Sequence, residues 1–231
     1  MAVKFYQVGG CVRDRVLGRK CNDIDYSVEA QSYEAMYREI VERGGEVFLE
    51  SPEFLTIRAK VPVMGACDFV LCRKEGEYSD GRHPDKVEMG TIYDDLARRD
   101  FTMNAIAMDE DGECTDPHAG LDDIQRCVIR CVGDPRKRFK EDSLRLLRAL
   151  RFAITLQFRL HYSVVECMED YDVVAGLRGV SVERIREELL KAFKVDTPTT
   201  LAYLEQFSEI KHAAFNRDNG LWLMPTLRGA K

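Results

Sequence analysis

Val8-Gly9-Gly10-Cys11-Val12-Arg13-Asp14, followed shortly by Asn22-Asp23-Ile24-Asp25-Tyr26, is the stretch that decides the fold. Lys4–Val8 predicts a strand, and the glycine pair opens a helix over Gly10–Leu17. Bare N–H groups at a helix start, with a guanidinium in its first turns, make an anion site suited to a triphosphate. Gly10 and Arg13 are therefore candidate nucleotide contacts, although the same residues also describe an ordinary strand-to-helix turn. Asp23 and Asp25 head a second predicted strand, Ile24–Val28, and strand residues two apart share a face. Paired carboxylates offer the hard oxygen ligands that Mg²⁺ takes, with phosphate and water completing its shell. Alone, D-x-D most often marks a solvated turn ahead of a strand. Asp68 opens the short apolar run Asp68-Phe69-Val70-Leu71, and an adjacent strand could bring it beside the pair as a third carboxylate.

Outward from this stretch, strands and helices alternate. Ser32 predicts the cap of a helix whose apolar residues Tyr33, Met36, Tyr37, Ile40 and Val41 fall on one face, with Gly44 as its stop. Glu46–Leu49, Leu55–Lys60 and Cys67–Cys72 are further strand candidates, and residues 73–90 read as one long polar loop. Beyond about residue 120 the strand signal fades. Arg136–Ile154 and Val182–Lys194, the latter with Ser181 as its cap, predict strong helices, while Val164–Tyr171 and Thr199–Phe207 predict weaker ones.

The 231 residues carry 34 Lys+Arg against 40 Asp+Glu, a net charge of −6, with 45% hydrophobic residues. That balance excludes a disordered chain and argues against a broad basic surface for nucleic acid. No apolar run reaches the length that spans a bilayer, and nothing near Met1 resembles a signal peptide. The eight cysteines are scattered without a C-x-x-C, so reduced thiols in the cytoplasm are expected.

The ordered motifs carry a resemblance. Gly9-Gly10-x-Val-Arg13-Asp14 and Asp23-x-Asp25 are followed by Arg98-Arg99-Asp100-Phe101-Thr102-Met103-Asn104-Ala105 and Asp116-Pro117-x-x-Gly120-Leu121-x-Asp123-Ile124. Next come Gly133-Asp134-Pro135-x-x-Arg138-Phe139, the run Glu141–Ala149, and Glu183-Arg184-Ile185-x-x-Glu188-Leu189. Over residues 5–194 this order resembles the bacterial-type (class II) tRNA CCA-adding enzymes and their poly(A) polymerase relatives. The resemblance implies an α+β fold: a mixed-sheet, polymerase-β-like nucleotidyltransferase head over 1–126, then an all-helical neck over 127–231. It implies addition of C and A to the 3′ end of tRNA from CTP and ATP, with release of pyrophosphate. An A-only poly(A) polymerase is the near alternative, and a non-catalytic nucleotide- or RNA-binding module the distant one.

Site roles follow from the same resemblance. Asp23 and Asp25 would hold two Mg²⁺, with Asp68 a further catalytic carboxylate. Arg98, Arg99, Asp100 and Asn104 would contact triphosphate and sugar. Asp142, Arg145, Arg148 and Arg151 recur every third residue of a predicted helix, which alone describes an ion-paired face as well as a binding one. Adenine and cytosine both show an amine donor beside a ring-nitrogen acceptor. Asp142 and Arg145 would meet that pair, and guanine or uracil would leave it unmatched. Glu183, Arg184 and Glu188 would brace the helix. The segment 73–90, with Arg73, Lys74, Arg82 and Lys86, would assist the switch to A addition. An RNA end is expected along Arg136, Lys137, Arg138, Lys140, Arg145, Arg148, Arg151 and Arg159. Relatives continue into further helical domains that grip tRNA, so here either the neck alone is expected to grip the acceptor end, or a second copy or a partner subunit to supply the rest.

Overall fold

The structure is a computed structural model that describes residues 2–21, 23–76, 87–216, 220–221 and 223. The described residues form two compact units, one reaching Arg126 and the other starting at Cys127.

The first unit runs β1 (Lys4–Val8), α1 (Gly10–Val16), β2 (Ile24–Glu29), α2 (Tyr33–Glu42), β3 (Glu46–Ser51), β4 (Thr56–Val61) and β5 (Gly65–Leu71). It continues through β6 (Arg73–Glu75), β7 (Val87–Met89), α3 (Ile92–Ala97), β8 (Ala107–Met108), β9 (Cys114–Thr115) and α4 (Gly120–Gln125). The main sheet has the order β3-β4-β5-β2-β1-β8-β9, with β2 and β5 parallel at its centre and the other pairs antiparallel. A parallel pair needs a crossover, and α2 with the β3–β4 hairpin provides it.

Helix α2 forms where the sequence says it should. The Ser32 hydroxyl accepts the Ala35 N–H at 3.1 Å, and Gly44 takes φ 77° just past the end. Its Met36 and Ile40 are fully buried on Phe5, Tyr26, Val28, Ile57, Phe69 and Leu71 from the sheet. Strand alternation then turns Asp25, Ser27 and Glu29 to the opposite face of β2. That face is covered by α3, whose N-terminus carries a reciprocal Thr91–Asp94 capping box.

The expected loop over 73–90 is in part ordered: β6 and β7 pair antiparallel, with Arg73 opposite Met89. Two three-residue strands of mixed polarity leave no period to read. Arg82 and Lys86 lie outside the described residues, as do most of those after Asn216.

The second unit runs β10 (Val128–Ile129), α5 (Pro135–Glu141), α6 (Leu144–Leu156), β11 (Arg159–Leu160), α7 (Tyr162–Glu169), α8 (Tyr171–Val174), α9 (Val182–Val195), α10 (Thr197–Gln206) and α11 (Ser208–Phe215). Strands β10 and β11 pair in parallel, a short ladder that periodicity did not announce. The expected single helix Arg136–Ile154 is two helices, because Asp142 is extended at φ −150° and ψ 102°. The break is held by side chains: the Ser143 hydroxyl donates to the Phe139 carbonyl at 3.1 Å, and Asp142 Oδ1 accepts the Leu144 N–H at 3.1 Å. Ser181 occupies the N-cap position of α9, but its side chain makes no capping bond. Among the described residues no helix is long and apolar enough to cross a membrane. All eight cysteines are free.

The Asp116–Ile124 motif is scaffolding. Asp116 caps α4 by accepting the N–H groups of Gly120 and Leu121 at 2.7 and 2.9 Å, and buried Asp123 accepts the Thr102 hydroxyl at 2.7 Å. A Cβ on Gly120 would lie 2.1 Å from the Thr102 carbonyl oxygen, whereas one on Gly179 meets nothing within 4 Å. Gly120→Ala is expected to cost about 2–4 kcal/mol in urea unfolding, against less than about 1 kcal/mol for Gly179→Ala.

Candidate functional site

The centre of the site is a row of charges across three strands. The β2–β5 register sets Asp25 opposite Asp68, and the β5–β4 register sets Asp68 opposite Arg58. Arg58 grips Asp68 with two nitrogens, Nη2 lying 2.6 Å from Oδ2. Asp25 is exposed by surface area yet crowded enough that desolvation raises its carboxyl above the ordinary value. Asp68 and Asp23 add to the rise, while Arg99 and Arg58 oppose it. Asp23 is exposed and precedes β2, so strand alternation does not govern it as its spacing suggested. Its carbonyl accepts the Cys21 thiol at 3.0 Å.

Val8 pairs with Asp25 and leads directly into the Gly9–Gly10 turn. Gly9 has φ 73°, and a Cβ there would sit 3.0 Å from Arg99 Nη1. Arg13 is buried; its Nη1 donates to Asn104 Oδ1 at 2.8 Å and its Nε to Asp14 at 2.9 Å. Asn104 Nδ2 in turn donates to Asp100 Oδ1 at 3.2 Å. The structure therefore brings Gly10, Arg13, Asp100 and Asn104 together around one turn, with Arg99 behind it.

Two residues that sequence reasoning missed organise this cluster. Asp95 on α3 is 0% exposed and receives Nε of Arg98 at 3.0 Å, Nη2 of Arg99 at 2.9 Å and the Ser27 hydroxyl at 2.7 Å. Burial alone would raise its carboxyl, but Arg98 and Arg99, with Ser27, hold it below the ordinary value. Arg99 also reaches the Ser27 hydroxyl at 3.2 Å and the Asn104 carbonyl at 3.3 Å. The i, i+3 and i+4 spacing of Asp95, Arg98 and Arg99 was readable; Ser27 and Arg58 were not, because their roles depend on strand register.

In the second unit the expected base-reading residues have internal partners. Asp142 Oδ2 accepts Arg184 Nη2 at 2.8 Å, and Asp142 closes α5 instead of standing on the helix with the arginines. Arg145 is buried, donating from Nη1 to Glu141 at 2.9 Å and to the Arg138 carbonyl at 3.0 Å. Buried Glu188 on α9 accepts Arg151 Nε at 2.5 Å and lies 3.9 Å from Arg148 Nη1. Glu183 stands exposed in the first turn of α9, where a negative charge suits the helix start.

The donor set fits a divalent cation. Asp23 and Asp25 are hard oxygen donors beside a turn that suits phosphate, and Mg²⁺ is characteristically held by one or two carboxylates plus substrate. Among the described residues no group of three His, Cys, Asp or Glu forms a ready cage, and Asp68 is held by Arg58.

The family model for the poly A polymerase head domain matches residues 5–130. The chain belongs to that family. It is 40% identical over 190 residues to a protein of Lactobacillus helveticus named CCA-adding enzyme, covering 80% of this chain and 45% of that one. A CCA-adding enzyme of Levilactobacillus brevis is 37% identical over 194 residues, with coverages of 84% and 47%. The structure of the Bacillus stearothermophilus CCA-adding enzyme in complex with CTP superposes with a TM-score of 0.77 at 30% identity, over 92% of this chain and 53% of that one. The Thermotoga maritima CCA-adding enzyme complexed with tRNA gives 0.73 at 26% identity, over 93% and 49%. The chain thus spans about half the length of the curated relatives it matches.

Because the folded state depresses the Asp95 carboxyl, its contribution is present above the unfolded value and is lost as pH falls through the folded one. Wild type should therefore exceed Asp95→Asn in stability at pH 7. The gap should narrow as pH drops below about 4 in paired urea titrations; a constant gap down to pH 2 would sink the assignment.

Proposed function

We propose that this chain transfers nucleotides to the 3′-hydroxyl of tRNA, adding C and A from CTP and ATP with release of pyrophosphate. The observation that carries this reading is the pairing of β2 with β5, which sets Asp25 beside Asp68 at the foot of the Gly9–Gly10 turn. The names of its relatives, and the CTP and tRNA in two solved ones, favour the same chemistry. A metal-dependent reaction agrees with the carboxylate donors. Bound there, Mg²⁺ would supply Lewis acidity and charge neutralisation, and the family's pattern suggests two ions.

Each residue has a task in this reading. Asp23 and Asp25 give the oxygen ligands, and Asp68 is the third acid at the reacting centre. Gly10 offers its bare N–H and Arg13 its guanidinium to the triphosphate. Asn104 and Asp100 hold Arg13 and border the sugar, and Arg99 balances the acids from behind. The hydroxyl oxygen attacks the α-phosphorus in line as the bond to pyrophosphate breaks, so catalysis is chiefly positioning and charge balance.

In the neck, Asp142 accepts the exocyclic amine of adenine or cytosine and Arg145 donates to the ring nitrogen. A carboxylate oxygen bonded once retains a lone pair, so the anchors on Asp142 fix its direction without exhausting it. Arg148 and Arg151, joined through Glu188, keep α6 seated on α9, and Arg184 supports Asp142. The partners are ATP, CTP and a tRNA 3′ end in the cytoplasm, with a second copy or partner subunit contributing to tRNA grip.

The description of the matching family model favours one other reading, A-only polymerisation. Incubation of tRNA transcripts ending before C, CC and A with ATP and CTP, followed by product sequencing, separates the two. A defined CCA end is expected, and an open-ended A tail would overturn it. Asp23→Ala with Asp25→Ala should abolish incorporation; retained addition refutes the metal assignment. Asp142→Ala with Arg145→Ala should lower the preference for CTP and ATP over UTP and GTP by about a hundredfold or more in single-nucleotide incorporation.

A further inference from the structure

The two guanidiniums that oppose the acids of the site are held differently. Arg99 is tied on several sides, to Asp95, Ser27 and the Asn104 carbonyl, and cannot swing without breaking a buried network. Arg58 sits on β4 with its side chain 50% exposed, and Asp68, 29% exposed, is its partner. The register row places Arg58, Asp68 and Asp25 side by side on successive strands. Arg58 therefore neutralises the one carboxylate of the row that would otherwise face Asp25 as a bare like charge.

We propose that Arg58 is a positioning residue of the metal centre, holding Asp68 in a two-point ion pair so that Asp68 becomes a metal ligand only when that pair opens. This rests on the reading of Asp23 and Asp25 as metal-binding carboxylates. Exposed ion pairs contribute little net stability, so a divalent cation with nucleotide phosphate can draw Asp68 away from Arg58. A fork on a long, solvated side chain suits that exchange; the buried Asp95 network does not. The same device keeps the row from self-repulsion before the cation arrives.

The test is Mn²⁺ binding to the full chain without nucleotide, followed by electron paramagnetic resonance of free Mn²⁺. Four proteins form a cycle: wild type, Arg58→Gln, Asp68→Asn and the double variant. Arg58→Gln should tighten Mn²⁺ binding about threefold to tenfold. The gain should vanish when Asp68→Asn is also present, because the released carboxylate is its source. An equal gain in the Asp68→Asn background would mean general charge removal and would overturn the proposal, as would no gain in either background. Arg58→Lys keeps the charge but loses the fork, and should fall between wild type and Arg58→Gln; thermal melts in EDTA verify that each variant is folded. Asp25→Asn tests the underlying reading separately. Retained wild-type binding there would overturn the metal assignment itself, whereas its loss, with no coupling between Arg58 and Asp68, would overturn this proposal alone.

Discussion

A carboxylate with no exposed surface, Asp95, is the constraint on which the head depends. A buried charge is tolerated only if it is paired and hydrogen-bonded, and removing a partner leaves an uncompensated ion. Asp95 meets that demand with two guanidiniums from its own C-terminal side and the Ser27 hydroxyl from β2. Satisfying one acid thus fixes α3 on the strand that carries Asp25. It also aims Arg99 at Gly9, where the positive φ of 73° and a 3.0 Å approach to any Cβ favour glycine. The Gly9–Gly10 turn, the strand that carries Asp25 and the Arg99 guanidinium are thus positioned together by one buried group.

The same economy explains the charge balance. Arg136 pairs with Asp170, Arg138 and Arg145 share Glu141, Arg148 and Arg151 share Glu188, and Arg184 takes Asp142. The basic run legible in the sequence is therefore largely spent within the second unit, with Lys137, Lys140 and Arg159 among its exposed members. On these terms a net charge of −6 is compatible with the RNA substrate proposed above, which then calls for few phosphate contacts.

What was legible follows the range of the interactions involved. Strand β1, helix α2 and the glycine turn were readable because caps, alternation and left-handed glycines act over a few residues. The D-x-D pair was visible for the same reason. Arg58 was invisible, since only the β4–β5 register makes it a neighbour of Asp68, ten positions along the chain. The break at Asp142 was hidden because Asp142, Arg145, Arg148 and Arg151 recur every third residue, as on one face of a continuous helix. What ends α5 is the Ser143 hydroxyl turned back on Phe139, Arg184 drawing Asp142 across from α9, and Gly176 approaching so closely that a Cβ would lie 2.2 Å from the Ser143 oxygen.

That break bears on the base-reading role proposed for Asp142. A carboxylate in mid-helix on a free side chain would lose rotamer entropy each time it met a nucleotide. Asp142, extended between α5 and α6, has that entropy already removed: one oxygen is fixed by the Leu144 amide and the other by Arg184. Arg145, the second residue of α6, is fixed by Glu141 and the Arg138 carbonyl. Two pre-set groups of opposite polarity form a rigid template, and rigidity turns a mismatch into an unpaired polar group instead of a rearrangement. On the proposed reading, the internal bonds that first resemble a plain ion-paired surface are what would let the pair read a base without a nucleic-acid template.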